Sequence, residues 1–149
     1  MTARKTVTIL TIVLGLLVAA APAIAMHVRG NGRLVAWGEG TVRVEGSGTF
    51  YLRGAGTLMI TDRDPDVDIE IHGFRYSRKT VNGLRVYRGA GWVRVTAPDT
   101  MLELAGDIES FAACGVGVCH LSGEGSFSVD GKTKPWPAAG LPIRFELEG

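Results

Sequence analysis

The amino-acid sequence predicts an all-β protein, and three observations support this fold class. Glycine pairs of the form Gly-x-Gly recur every eight residues along much of the chain. The residues between these pairs alternate between apolar and polar side chains, which is the period of a strand with one buried face. No segment after residue 25 combines a helical hydrophobic period with capping residues. We therefore expect short antiparallel strands, arranged as octads, that form a sandwich or a barrel.

The repeat occurs in two runs and one isolated copy. The first run holds four glycine pairs in phase, from Gly30 to Gly56, and the second extends from Gly115 to Gly131. The isolated copy is Gly89-Ala-Gly91. Within the octads the same parity carries the residues that we expect in the core: Leu34, Ala36, Val42, Val44, Phe50, Leu52, Leu58, Ile60, Phe127 and Val129.

The constant parity restricts how successive strands are connected. A two-residue hairpin loop would reverse the inward parity from strand to strand, whereas a three-residue loop such as Gly-x-Gly retains it. In such a meander Arg33 would lie opposite Glu45, and Arg43 would lie opposite Tyr51, both favourable cross-strand pairs. A β-solenoid, with glycines at its corners and equivalent residues stacked, retains the parity equally well and is the alternative architecture.

The first 25 residues have the layout of a secretory signal peptide. Arg4 and Lys5 precede an uncharged, largely apolar stretch, and Ala23-Ile24-Ala25 supplies a cleavage site. We predict a signal helix in residues 1–25, followed by one all-β domain in residues 26–149. The alternative is an uncleaved anchor, because the uncharged run 6–26 is long enough to cross a bilayer. Both interpretations place the domain outside the cytoplasm, in the periplasm or the extracellular space, and only the anchor implies a membrane contact.

The composition of residues 26–149 excludes some classes of partner. Removal of Arg4 and Lys5 leaves 14 basic residues against 15 acidic ones, with the signs mixed along the chain. Nucleic-acid binding requires a basic face, so we expect no nucleic-acid partner. Two cysteines in an exported chain permit at most one internal disulfide, so the fold must depend on packing and strand pairing.

The order of the sequence features resembles that of a known group of proteins. Gly-x-Gly octads are followed by an Asp-rich break, a hairpin signal at Asn82-Gly83 and a second run of octads. This order resembles small exported bacterial and archaeal β-repeat proteins of unassigned function and, more loosely, the β-repeats of autotransporter-adhesin head domains. The resemblance implies a cell-envelope or adhesion-like role and supplies no catalytic residue.

Cys114, Cys119 and His120 form the sharpest local motif, with the spacing C-x4-C-H. Two thiols followed by a histidine are typical of covalent c-type haem attachment, although the usual spacing is C-x-x-C-H. The repeat, however, places Cys119 in the inward column of Phe111 and Phe127, where cysteine is a small apolar core residue. A periplasmic haem-binding protein is therefore the alternative function, and the principal expectation includes no cofactor. Cys114 is expected to point outward, so that a disulfide to Cys119 requires a bulge at the intervening glycines.

The remaining candidate sites are weak. Asp62, Asp64, Asp66 and Asp68 offer hard oxygen ligands for Ca²⁺, but the segment lacks the glycine and the closing glutamate of an EF-hand. Four aromatic residues could form an outward strip for a glycan or a partner: Trp37, Tyr51, Trp92 and Tyr87. A small hydrolase is a third alternative, supported only by acid pairs such as Glu103 and Asp107.

From these features we expect a non-catalytic, exported structural or adhesion-like protein. An envelope component or a glycan is the expected partner. Short strands with unprotected edges also favour self-association.

Overall fold

The computed structural model describes residues 26–61, 67–80, 82–137 and 141–148. The signal helix predicted for residues 1–25 lies outside these ranges. The fold is all-β, as predicted, with six strands: β1 (Met26–Asn31), β2 (Leu34–Thr61), β3 (Asp68–Lys79), β4 (Leu84–Val129), β5 (Lys132–Pro135) and β6 (Pro142–Glu148). Within the described ranges, no helix is long and apolar enough to cross a membrane.

The six strands form one open, mixed sheet. Strands β1, β6, β4 and β2 follow one another in this order, and β3 and β5 also pair with β4. The pairing of β1 with β6 is parallel, and the other pairings are antiparallel. The predicted turn at Asn82-Gly83 is confirmed, because the Gly83 amide donates to the Thr80 carbonyl at 3.0 Å and joins β3 to β4.

Strands β2 and β4 are far longer than the five-residue strands that the sequence suggested, and β2 pairs with β4 twice. Leu52 is paired with Val93 on one side and with Phe111 on the other. Phe111 is itself flanked by Leu52 and by Ala36, two octads earlier. Ala36 and Leu52 belong to one continuous strand and lie on opposite sides of Phe111. This is possible only if β2 passes β4 on one side and then curves round to pass it on the other. The two strands therefore wind around one another, and the two β2 positions that flank Phe111 are 16 residues apart.

The prediction that Gly-x-Gly forms hairpin loops is wrong. The first-run pairs from Gly38 to Gly56 lie inside the continuous strand β2. The predicted cross-strand partners are also wrong, because Arg43 is paired with Glu103 and His120 instead of Tyr51. The glycines mark bends at which β2 turns from one side of the winding to the other without leaving the sheet.

Close approach of two backbones explains why these bends require glycine. A Cβ atom on Gly48 would lie 2.1 Å from the carbonyl oxygen of Cys114, and one on Gly115 would lie 2.1 Å from that of Ser47. Gly48 and Gly115 are paired with each other, so neither strand has a side chain at this contact. The same pairing of glycine with glycine brings Gly54 opposite Gly91 in the isolated copy. The two runs therefore share the same eight-residue spacing because their glycines meet at shared bends.

The predicted alternation of buried and exposed positions is confirmed. Nine of the ten predicted core residues are at most 2 % exposed, and Val129 is partly buried against the core. Val93, Val95, Leu102, Leu104, Phe111, Cys119 and Leu121 of β4 join them. The two buried polar residues among those described, Thr61 and Thr100, bond to backbone groups: Thr61 Oγ1 accepts from the Met101 amide at 3.1 Å, and Thr100 Oγ1 donates to the Thr61 carbonyl at 3.3 Å. The buried residues keep one parity along β2, whereas along β4 the parity changes between Ala97 and Leu102 and again between Ile108 and Phe111. Burial of these apolar side chains supplies the hydrophobic stabilisation.

Candidate functional site: an outward aromatic face

The outer surface of the sheet carries a cluster of aromatic and charged side chains, which we call the aromatic face. Its members are Tyr51 of β2, Trp92 and Arg94 of β4, and Glu70 and His72 of β3. Because side chains alternate along a strand, these residues point away from the core that their neighbours fill. Strand pairing aligns them, with Tyr51 opposite Arg94, Arg94 opposite Glu70, and Trp92 opposite His72.

Three of the rings stack across neighbouring strands. The His72 and Trp92 ring centroids are 4.4 Å apart with an interplanar angle of 19°. The Trp92 and Tyr51 centroids are 6.1 Å apart at 29°. Ring pairs in this range contribute about 0.5–1.5 kcal/mol beyond the area that they bury. Trp92 is thus held between two ring partners.

Glu70 contacts both of the other polar residues of the aromatic face, Arg94 and His72. Its Oε2 accepts from Arg94 Nη2 at 2.8 Å, and its Oε1 lies 3.4 Å from His72 Nε2. All three side chains are about half exposed, so solvent screening keeps the stabilisation small. The main effect of these contacts is to orient the Arg94 guanidinium and the His72 ring relative to the stack.

Beside Tyr51, on the side away from Trp92, the surface forms a depression that we call the slot. Its lining residues are Arg33, Thr49, Tyr51, Arg94, Ala112, Ala113 and Cys114. Its volume of about 310 Å³ lies at the lower end of the range typical of small-ligand sites. The slot exists because Ala112, the second cross-strand partner of Tyr51, has only a methyl group where a longer side chain would fill the surface. The lining contains two guanidinium groups and no carboxylate.

The aromatic strip suggested by the sequence is only partly assembled. Tyr51 and Trp92 meet, and Trp37 is 39 % exposed but is paired with Ser126 on another part of the sheet. Tyr87 does not belong to an outward strip, because it packs against the hydrophobic core and contacts Tyr76 edge to face at 5.6 Å. The sequence interpretation missed His72. Its alternation with Ile69 and Ile71 indicated an outward position, but its contact with Trp92 depends on the register of β3 and β4.

The C-x4-C-H motif is divided between the core and the surface. Cys119 is fully buried, as its parity predicted, and burial raises the pKa of its thiol to about 12. Cys114 is half-buried in the slot, where its Sγ lies 3.8 Å from the Thr49 carbonyl oxygen, and the two cysteines are free thiols. His120 is half-buried and lies on the side of β4 opposite to Cys119. These positions do not fit covalent haem attachment, because the Cys119 sulfur cannot reach a vinyl group while the core is packed.

The acidic candidates are not brought together. Asp62, Asp64 and Asp66 lie outside the described residues, and Asp68 is an exposed residue at the start of β3. Among the residues that the structure describes, no group of three or more His, Cys, Asp or Glu side chains could hold a metal ion. Glu103 is paired with Arg43 and Met59, whereas Asp107 lies at a bend opposite Glu39 and Ala55, so these two carboxylates do not form an acid pair.

Comparison of the chain with protein-family models, curated proteins and solved structures finds no match.

Proposed function

We propose that this chain is a non-catalytic, exported cell-envelope or extracellular protein that attaches to an envelope component through its outer surface. The observation that carries the proposal is the aromatic face, in which Tyr51, Trp92 and His72 stack on the outside of a sheet. Tyr51 and Trp92 are partly exposed, and aromatic side chains that are fixed in place at a surface provide contact area at low entropic cost, as is typical of binding surfaces. The resemblance to exported octad-repeat proteins and the signal-peptide layout of residues 1–25 support the same role.

The architecture is part of this proposal. We propose that the octad is the structural unit and that the winding of β2 and β4 encloses the core as a flattened barrel or sandwich. The support is that two octads of β2 complete a turn and that both contribute fully buried residues, such as Val44 and Leu52. A rigid, closed module of this kind would hold its outer surface in one conformation, as an adhesive or structural role requires.

Self-association through a strand edge is also proposed, and β1 is the best candidate. Each of the edge strands β1, β3 and β5 pairs with one neighbour among the described strands. Strand β3 has two register shifts, and β5 is short and contains Lys132, Lys134 and Pro135, features that protect edges from pairing. Strand β1 has neither bulge nor proline. Gel filtration over a range of concentrations is expected to show a dimer that dissociates on dilution. A monomer at every concentration would refute this part of the proposal.

Export and envelope attachment are tested separately. The full chain is expressed with a C-terminal tag in a bacterial host, fractionated and sequenced from its N-terminus. We expect the exported fraction to begin at Met26 or, if the anchor is retained, to remain in the membrane fraction. Recovery of the intact chain in the cytoplasm alone would refute export.

Attachment is measured by co-sedimentation of the purified exported protein with isolated cell envelopes. We expect saturable binding that the Tyr51→Ala and Trp92→Ala substitutions weaken by about tenfold, as expected for aromatic contact residues. Tyr76→Ala is the matched control, because Tyr76 is 59 % exposed but lies outside the aromatic face. Equal binding of all three variants and the unsubstituted chain would refute the assignment of the aromatic face.

A further inference from the structure

The row of stacked rings ends at Tyr51, beside the slot. Trp92 is in contact with His72 on one side and with Tyr51 on the other. On the next strand the position opposite Tyr51 is Ala112, so no side chain continues the row. One side of the Tyr51 ring therefore borders the slot, where the apolar side of a flat ligand ring could pack against it.

The charge of the slot identifies the kind of ligand. Arg33 and Arg94 both line it, and the lining itself contains no carboxylate, since Glu70, the ion-pair partner of Arg94, lies outside the slot. Arg33 forms no ion pair within the described part of the chain, and its side chain is exposed. Arg94 donates to Glu70 through Nη2, and a guanidinium has five N–H donors, so others remain for a ligand. Two guanidinium groups beside one aromatic ring favour a ring that carries a carboxylate.

We propose that the slot binds a uronic acid unit of an acidic polysaccharide. The sugar ring packs on Tyr51 above Ala112, its carboxylate accepts hydrogen bonds from Arg33 and Arg94, and its hydroxyl groups face Thr49. This inference rests on the proposed function, because a polysaccharide ligand is available only to an exported chain. It goes further in that it names the ligand class and assigns a role to Arg33 and to the small side chain of Ala112.

The two cysteines supply a measurement of occupancy. Cys114 lines the slot and is partly accessible, whereas Cys119 is fully buried. In the folded chain a thiol reagent such as DTNB is therefore expected to modify Cys114 alone, and a ligand in the slot is expected to shield it. Because Cys119 contributes no signal until the chain unfolds, the native reaction reports on the slot.

The experiment uses the purified exported protein and an oligomer of galacturonic acid as the probe, with a neutral galactose oligomer of equal length as the control ligand. Calorimetric titration is expected to show binding of the acidic oligomer at least tenfold tighter than that of the neutral one, as about two charge-assisted contacts imply. The affinity is expected to fall as salt is added. Saturation with the acidic oligomer is expected to slow the modification of Cys114 by about tenfold or more, in proportion to the occupied fraction.

Three substitutions separate the slot from the rest of the surface. Ala112→Leu fills the slot without removing a charge and is expected to weaken binding by about tenfold or more. Arg33→Gln is expected to weaken binding of the acidic oligomer by about tenfold and to leave binding of the neutral oligomer unchanged. Arg53→Gln is the matched control, because Arg53 is an outward arginine of β2 that pairs with Glu109 outside the slot.

The inference would be overturned if the acidic oligomer did not bind at millimolar concentration, or if both oligomers bound equally. It would also be overturned if Ala112→Leu bound the acidic oligomer as tightly as the unsubstituted chain, or if the acidic oligomer did not change the reactivity of Cys114. The two proposals fail in different ways. A chain that is exported and retained by envelopes but does not bind the acidic oligomer refutes the slot and leaves the proposed function standing. If the chain remains in the cytoplasm, the proposed function is refuted, whichever oligomer the slot of the purified protein binds.

Discussion

The bends require glycine mainly because two backbones approach each other too closely to admit a Cβ atom. Three alanine substitutions can separate the cost of this close contact from the cost of a left-handed backbone conformation. Gly83 has a φ of +80°, and a Cβ there would meet nothing within 4 Å. At Gly54 the φ lies outside the left-handed region, but a Cβ would lie 2.1 Å from the Asp107 carbonyl oxygen. Gly48 has both a φ of +146° and the 2.1 Å approach to Cys114. The three positions thus test conformation, contact and their combination.

The expected losses of unfolding free energy follow from these geometries. Gly83→Ala should cost about 1 kcal/mol, since only the left-handed backbone is penalised. At Gly54 real Cβ contacts are not shorter than 3.0 Å, so the neighbouring strand must move by about 0.9 Å. Such a shift breaks one or two ladder hydrogen bonds, each contributing about 1 kcal/mol, and disturbs packing, for a total of about 2–4 kcal/mol. Gly48→Ala should combine the two costs, at about 3–5 kcal/mol.

Urea denaturation followed by circular dichroism or tryptophan fluorescence measures these losses. The result that would refute the reasoning is a Gly54→Ala loss no larger than that of Gly83→Ala. The glycines would then be needed for their backbone angles, as in hairpin loops, and the double pairing of β2 with β4 would lose its physical explanation.

Three further predictions concern the core, the pH dependence and the bends. Phe111→Ala should reduce stability by about 3–5 kcal/mol in urea denaturation, because this fully buried ring packs between two turns of β2, and a loss below 1 kcal/mol would contradict that position. Burial raises the pKa of Cys119 from its usual 9.0 to about 12, so between these values the folded chain keeps a proton that the unfolded chain releases. The stability present below pH 9.0 should therefore fall by about 1.4 kcal/mol per pH unit up to about pH 12, and a slope unchanged in Cys119→Val would exclude this thiol as its cause. Glu39 lies opposite both Asp107 and Glu124, and like charges in these positions repel each other. Glu39→Gln should therefore raise the unfolding free energy by a few tenths of a kcal/mol at low salt and not at 1 M salt. A gain that does not depend on salt would argue against charge repulsion as its cause.

The sequence predicted which side chains face the core but not which strands are neighbours. Alternation identified Leu52 and Cys119 as inward residues, and both are fully buried. Parity is a property of a single strand, since side chains of opposite parity lie on opposite faces whatever the strand pairs with. The partner of Arg43, in contrast, depends on how the chain is connected. A three-residue loop and a bend within a continuous strand both preserve parity, so the pattern could not distinguish them.

The aromatic face shows the same division. The sequence indicated outward positions for Tyr51 and Trp92, and the structure places them in contact. The slot could not be inferred in this way, because it requires Ala112 of β4 to lie beside Tyr51 of β2, far away in sequence. A single small residue in an alternating strand has no distinctive pattern. Its meaning appears only when the register places it next to an aromatic ring and two arginines.

The register, in turn, is selected by the glycines. A one-residue slip of β4 against β2 would separate glycine pairs such as Gly48 and Gly115 and would also turn the core residues outward. A slip of one octad would move Gly91 away from Gly54. On its other side Gly91 is required by β3 as well, because a Cβ there would lie 1.8 Å from the His72 carbonyl oxygen. The isolated copy Gly89-Ala-Gly91 therefore has a structural role of its own. It meets the last bend of β2 on one side and β3 on the other, and so sets the alignment that brings His72, Trp92 and Tyr51 together.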